Sequence, residues 1–231
     1  MSMSIAENLE QVREEMTQAC MRSGRKTDEV KLIAVSKYMG VDKIAQAVDA
    51  GQRVFGENHA QELTEKKTFF EQHDCLVHFI GHLQTNKIKY VCGFADMIES
   101  VDRQSLAGLL QKKAEARDVI QDILIQVNIG EEEQKSGVTD VDLDCFAESF
   151  GQYPNLRVRG LMCVPPAVEA EQARKYFQEM RALFDTLRDK GTFAQFDTLS
   201  MGMSHDFAVA IEEGATEVRV GTRIFGARDK K

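Results

Sequence analysis

Residues 30–56, VKLIAVSKYMGVDKIAQAVDAGQRVFG, contain the pattern that decides the fold. Residues 30–36 are rich in branched apolar side chains, which is typical of a buried strand. Apolar residues spaced by three or four then lead to Gly51, a common type of helix stop, and a second strand-like run follows at residues 53–56. The segment therefore predicts a strand, a helix and a second strand, which is the repeating unit of a parallel sheet.

The same alternation continues along the chain. After an amphipathic helix at residues 4–22, strand-like runs alternate with helical patterns, at about 25 residues per unit. The strand-like runs cover residues 30–36, 53–56, 76–80, 96–101, 122–129, 156–164, 196–201 and 217–224. Eight such units predict one α/β domain over residues 1–231, a single (β/α)8 TIM barrel with an extra N-terminal helix. An open doubly wound sheet is the rival fold, but Ser36-Lys37-Tyr38-Met39-Gly40 replaces the glycine-rich loop that such a sheet has after its first strand.

Composition limits the classes of function. The 231 residues include 29 Lys+Arg and 37 Asp+Glu, a net charge of −8, which argues against binding to nucleic acids or anionic membranes. No apolar run approaches the roughly 18–20 residues of a membrane span, and the N-terminus lacks the order of a secretory signal. The five cysteines are widely separated and no zinc-ligand pattern occurs. We therefore expect a cytoplasmic protein with free thiols and no metal.

The active face of such a barrel lies at the carboxyl ends of its strands, and Lys37 follows the first one. Alternation puts Ile33, Val35 and Lys37 on one face, so Lys37 is expected to point into the barrel mouth. Partial desolvation there would lower the pKa of its amine from about 10.4 and favour Schiff-base chemistry. The alternative is a lysine that closes the strand and extends to solvent.

A second group of residues follows the last two strands. Ser204 is a candidate N-cap of a helix after strand seven, and a helix N-terminus attracts anions. Gly221 would let a ligand approach the backbone of strand eight, and Thr222 adds a hydroxyl. Phosphate sites recur at this place in TIM barrels, so we predict one here, with an ordinary turn of small residues as the alternative.

Arg219 alternates with two valines and is expected to point inward. A buried guanidinium needs a partner, which could be Glu217, Glu57 or a ligand atom. A lysine amine, a phosphate site and an inward arginine together suit pyridoxal 5′-phosphate (PLP), which needs an amine partner, an anion site and a group beside its ring nitrogen. Another open possibility is a barrel whose lysine reacts directly with a carbonyl substrate, as in aldolases.

Several segments also carry a family resemblance over residues 5–228. They are Ala34-Val35-Ser36-Lys37, Phe55-Gly56-Glu57-Asn58, His78 to Lys87, Lys135-Ser136-Gly137, Arg159-Gly160-Leu161-Met162, Leu199 to Ser204, Val218 to Thr222 and Ile224-Phe225-Gly226. In this order they resemble the YggS/PROSC family of pyridoxal phosphate homeostasis proteins.

The resemblance implies a barrel like the N-terminal domain of alanine racemase, without the second, β-rich domain of that enzyme. It implies that Lys37 carries PLP as an internal aldimine. It suggests Ser204, Gly221 and Thr222 at the phosphate, Arg219 beside the pyridine nitrogen and Asn58 near the ring. His82 and Ser200 complete the expected set of cofactor-binding residues. Two departures adjoin the site: the family's proline shortly after the lysine is missing from Tyr38-Met39-Gly40-Val41, and Arg223 stands where a small residue is common.

An arginine beside the ring nitrogen disfavours the pyridinium form and makes the ring a weaker electron sink. We therefore expect a PLP carrier or buffer that maintains intracellular PLP supply and amino-acid balance, with no catalytic residue. Two-base racemisation needs a second acid/base group, for which His82 is the best substitute inside a barrel. A low-rate PLP-dependent amino-acid racemase is the alternative function. Amino acids and apo forms of PLP enzymes are candidate partners, and a monomer is expected.

Overall fold

A computed structural model describes residues 3–132 and 134–226 of the chain. Within these residues eight parallel strands form a closed barrel in chain order, and the last strand pairs with the first. The strands are β1 (Lys31–Val35), β2 (Val54–Glu57), β3 (Leu76–Phe79), β4 (Met97–Val101), β5 (Gln121–Val127), β6 (Leu156–Cys163), β7 (Thr198–Met203) and β8 (Glu217–Val220). The predicted (β/α)8 barrel is confirmed, and closure excludes the open sheet.

Helices surround the barrel and connect its strands. They are α1 (Ile5–Arg22), α2 (Val41–Asp49), α3 (Ala60–Gln72), α4 (Ile88–Val91), α5 (Gln104–Glu115), α6 (Asp140–Glu148), α7 (Ala170–Asp189), α8 (Phe207–Glu212) and α9 (Thr222–Phe225). Short 3₁₀ turns at Thr27–Glu29, Thr85–Lys87 and Ser149–Gln152 complete the connections. None of the helices in the described ranges is long and apolar enough to cross a membrane.

The predicted N-terminal helix is confirmed as α1. Ser4 caps it reciprocally with Glu7: the Glu7 amide donates to Ser4 Oγ at 3.2 Å, and the Ser4 amide donates to Glu7 Oε2 at 2.7 Å. One face of the helix buries Leu9, Val12 and Met16. This face packs against α8 and α9, so the N-terminal helix supports the segments that follow β7 and β8.

The sheet of the barrel has a packed apolar cluster on each of its two faces. Apolar side chains on the outer face of the sheet pack against the helices and form the main core. Inside the barrel a smaller apolar cluster contains Met97, Leu124 and Met162. Above it the interior becomes polar, since Glu99 follows Met97 by two residues on the same face of β4 and is fully buried.

Two sequence-based boundaries near the carboxyl ends of the strands were wrong. The strand predicted at residues 217–224 ends at Val220, and a short helix follows Gly221. Ser204 is not an N-cap, because β7 runs on to Met203 and α8 begins only at Phe207, with Asp206 in the cap position. A tight turn separates the two elements, in which the Met203 amide donates to Asp206 Oδ1 at 2.6 Å.

β6 and β7 lie so close together at Gly160 that only a glycine fits at this position. A Cβ atom added to Gly160, whose φ is +154°, would lie 1.7 Å from the Thr198 carbonyl oxygen. Gly160→Ala should therefore force the strands apart. The free energy of unfolding should fall by about 1–3 kcal/mol, the cost typical of overpacking, or by more. Thermal unfolding should show a clearly lower Tm than for Gly151→Ala, the matched control, whose added Cβ would meet nothing within 4 Å. Equal Tm values for the two variants would contradict this packing.

Candidate functional site

Two neighbouring cavities open at the carboxyl ends of the strands. The smaller has a volume of about 420 Å³ and the larger about 720 Å³. Lys37 and Asn58 line both cavities, so they form the boundary between them. Six of the predicted site residues lie on the wall of the smaller cavity: Lys37, Asn58, Ser204, Arg219, Gly221 and Thr222.

The other two predicted cofactor-binding residues lie elsewhere. His82 lines the larger cavity, with 52% of its side chain exposed, and its Nδ1 lies 3.0 Å from Ser136 Oγ. Ser200 is fully buried in the barrel, where it contacts Arg219 and Glu99. It therefore lies behind the cavity wall.

A buried ion pair anchors the loop that carries Lys37. The Lys66 ammonium donates to the Ser36 carbonyl and to Glu57 Oε1, each at 2.9 Å. Ser36 Oγ also donates to Glu57 Oε1, at 2.7 Å. Burial raises the pKa of Glu57 above its ordinary value even though the Lys66 charge opposes this shift. These contacts fix the residue that directly precedes Lys37.

Tyr38 fixes the other side of Lys37. It has a left-handed backbone with φ = 64°, which is unusual for a non-glycine residue. Two contacts support this conformation: its amide donates to Glu62 Oε2 at 2.7 Å, and its hydroxyl lies 2.8 Å from His59 Nε2. The loop thus keeps its shape without the proline that is common in the family.

Arg219 brings a guanidinium into the smaller cavity from inside the barrel, where the residue is only 4% exposed. Its Nη1 donates to Ser200 Oγ at 2.6 Å and its Nη2 to the Cys163 carbonyl at 2.7 Å. Neither of the acidic partners suggested by the sequence fills this role, since Glu57 pairs with Lys66 and Glu217 with Lys31. The carboxylate beside Arg219 is Glu99, whose Oε2 lies 3.8 Å from Nη1.

Glu99 belongs to a chain of buried polar groups. Its Oε2 accepts from Ser200 Oγ at 2.6 Å, and its Oε1 lies 2.8 Å from His78 Nδ1. Glu217 Oε2 lies 3.6 Å from the same His78 nitrogen, and Glu217 Oε1 accepts from Lys31 Nζ at 2.6 Å. The chain thus runs from Lys31, which is half exposed at the start of β1, to the wall of the smaller cavity.

The surroundings of Glu99, His78 and Glu217 shift the pKa of each of these buried groups. Burial alone would raise the pKa of Glu99, but the His78 hydrogen bond and charge, the Arg219 charge and the Ser200 hydroxyl bring it below its ordinary value. Burial alone would lower the pKa of His78, but its contact with Glu99 and the Glu217 charge raise it. Burial raises the pKa of Glu217. The lowered pKa favours the carboxylate form of Glu99, which lies beside the buried Arg219 guanidinium.

His78, Glu99 and Glu217 bring metal-ligand types of atom within 4.8 Å of one another. The hydrogen bonds and ion pairs with His78, Ser200 and Lys31 already account for this arrangement. This buried cluster of His78, Glu99 and Glu217 was not identified from the sequence. The signal that could have revealed it is a polar residue at an inward position of an apolar strand, as Glu99 is in β4 and His78 in β3.

The opposite end of the smaller cavity is built from the turns after β7 and β8. The Gly221 amide donates to Ser204 Oγ at 3.2 Å, which joins the two turns. Helix α1 holds α9 from behind, through a 2.9 Å hydrogen bond from Asn8 Nδ2 to the Ile224 carbonyl and an ion pair between Glu15 and Arg223. Arg223, the second departure from the family pattern, is therefore an anchor on α1.

The sequence of this chain is similar to proteins of one known family over nearly its whole length. The family described as "Alanine racemase, N-terminal domain" matches residues 4–229. A pyridoxal phosphate homeostasis protein of Aquifex aeolicus is 44% identical over 227 residues, which cover 98% of this chain and 99% of the relative. A protein of the same name from Escherichia coli K12 is 42% identical over 230 residues and covers 97% of each chain.

A solved structure shows the same fold. PipY of Synechococcus elongatus, with PLP bound, matches with a TM-score of 0.82 and 34% identity, over 96% of this chain and 100% of PipY. The sequence matches and this structural match both extend over nearly the whole chain. The chain therefore belongs to the family of pyridoxal phosphate homeostasis proteins, whose barrel is that of the alanine racemase N-terminal domain.

Proposed function

We propose that this protein binds PLP in the smaller cavity, holds it covalently at Lys37 and keeps it in reserve for the cell. The observation that carries the proposal is the set of residues that line this one cavity: Lys37 with its amine, Arg219 with its guanidinium, and Ser204 and Thr222 with their hydroxyls. The structure of PipY with PLP bound, at 34% identity, supports the same cofactor for this chain.

The cavity suits this cofactor in size and chemistry. Its volume of about 420 Å³ lies within the range typical of small-ligand sites. Asn58, which lines the same cavity as Lys37, has a buried acceptor, Oδ1, without a hydrogen-bond partner among the described residues. A buried polar atom of this kind is costly unless a ligand or water satisfies it. A bound ligand with a donor group would remove that cost.

Each residue has a distinct role in this proposal. PLP supplies an aldehyde that condenses reversibly with a primary amine and releases water. Lys37 provides the amine from a loop that Lys66 and Tyr38 hold in place. Ser204 and Thr222 would donate hydroxyl hydrogens to the phosphate, and the Arg219 guanidinium, which has donor groups only, would donate to the unprotonated ring nitrogen. An unprotonated ring draws electrons more weakly than a pyridinium does.

The surroundings of Lys37 favour storage and transfer over catalysis. The larger cavity, on the other side of Lys37, is bordered by Tyr38 and His82, both of which are exposed to solvent. Amino acids and lysines of apo enzymes could reach the cofactor from this side. Efficient racemisation needs a positioned acid/base pair shielded from water, whereas His82 Nδ1 contacts Ser136.

The phosphate assignment can be tested with two ligands. The Ser204→Ala/Thr222→Val double variant should lose far more affinity for PLP than for pyridoxal, because each charge-assisted hydrogen bond contributes about 1.5–3 kcal/mol. Equilibrium titration by absorbance measures both affinities. Thr186→Val, which removes an exposed hydroxyl on α7, is the control and should bind both ligands as the wild type does. An equal loss for PLP and pyridoxal would place the phosphate elsewhere.

Storage and racemisation differ in the fate of the Cα–H bond. We expect PLP-loaded protein in D₂O to exchange the Cα hydrogen of amino acids far more slowly than about 1 per second, the lower end of typical turnover. Proton NMR of L-alanine and a panel of other amino acids measures the rate, with free PLP as the baseline. Exchange at enzymatic rates that is lost in His82→Ala would instead establish a racemase-like enzyme.

A further inference from the structure

One of the two groups that hold the Arg219 guanidinium inside the barrel is the Ser200 hydroxyl. Ser200 Oγ accepts from Arg219 Nη1 at 2.6 Å and has one hydrogen of its own to donate. That hydrogen goes to Glu99 Oε2, also at 2.6 Å. The direction of donation is thus defined, from arginine to serine to carboxylate, and it links the cavity wall to a buried negative charge.

The carboxylate at the end of this link is itself held in place. His78 Nδ1 contacts the other oxygen of Glu99 at 2.8 Å, and both residues are at least 97% buried. The charged and titratable groups around this pair are Glu217 on β8, Lys31 on β1 and Arg219 itself. Glu99 therefore has fixed partners on both of its oxygens.

These contacts leave the guanidinium little freedom. Arginine presents its five N–H donors in a rigid planar fork. Two arms of the Arg219 fork form hydrogen bonds, one with Ser200 on β7 and one with the Cys163 carbonyl at the end of β6. Two such bonds determine the plane of the group, and so the direction in which its other N–H donors face the smaller cavity.

We infer that Ser200 and Glu99 are positioning residues, which orient the Arg219 guanidinium toward the ring nitrogen of the bound cofactor and so set how tightly the nitrogen side of the ring is held. This inference rests on the proposed function. It also gives Ser200 a different role from the direct cofactor contact expected from the sequence, since Ser200 acts through Arg219.

A pair of ligands separates positioning from general damage. The probes are PLP and its carbocyclic analogue, in which a CH group replaces the ring nitrogen. Ser200→Ala should weaken PLP binding about tenfold, the effect of losing one charge-assisted hydrogen bond, and should change the affinity for the analogue less than about twofold. Glu99→Gln, which keeps the size of the side chain, should act in the same direction.

Two controls address folding and location. Thr198→Val removes a hydroxyl from the same strand that bonds only to its neighbour Asp197 in the described structure, and it should bind both ligands as the wild type does. Thermal unfolding of the unloaded variants reports their folding. In a double-mutant cycle, Ser200→Ala should have no further effect on PLP affinity once Arg219→Lys has removed the planar fork.

The outcomes are distinct. Equal loss of both ligands in Ser200→Ala, additive effects with Arg219→Lys, or unchanged PLP affinity in a folded variant would each overturn the positioning role. If the wild type binds PLP and the analogue equally well, Arg219 does not hold the ring nitrogen, and the inference fails while PLP binding stands. If the wild type binds neither ligand, the proposed function itself fails.

Discussion

Charge inside the barrel must be paired, and this constraint shapes the whole site. A buried unpaired ion costs several kcal/mol, more than most single contacts contribute. Arg219 is tolerated because Glu99 balances it through Ser200, and Glu57 because Lys66 reaches it from α3. The same bonds that make burial possible also fix the groups that face the cavity.

The fold brings these groups together from distant parts of the chain. Parallel strands in a closed barrel all end at one rim, so the turns after β1, β7 and β8 meet around a single cavity. Helix α1 connects the two ends of the described chain by packing on α9, through Asn8 and through Glu15. The N-terminal helix therefore supports the phosphate side of the proposed site.

Local patterns predicted the barrel well, because a strand or helix depends mainly on the residues within it. Alternation along β1 was enough to place Val35 and Lys37 on the same cavity. The partners of Arg219 could not be predicted, since β4, β6 and β7 meet it only after the barrel closes. Ser204 was wrongly expected to cap a helix, because the tight turn between β7 and α8 has no clear sequence signal.

The proposed covalent bond between PLP and Lys37 can be tested chemically. Borohydride reduction of the PLP-loaded protein makes a bond between PLP and an amine permanent, and peptide mass mapping then locates it. We predict one modified peptide that contains Lys37, and loss of that modification in Lys37→Arg with the fold intact. Modification of another lysine while Lys37 remains unmodified would show that Lys37 does not hold PLP.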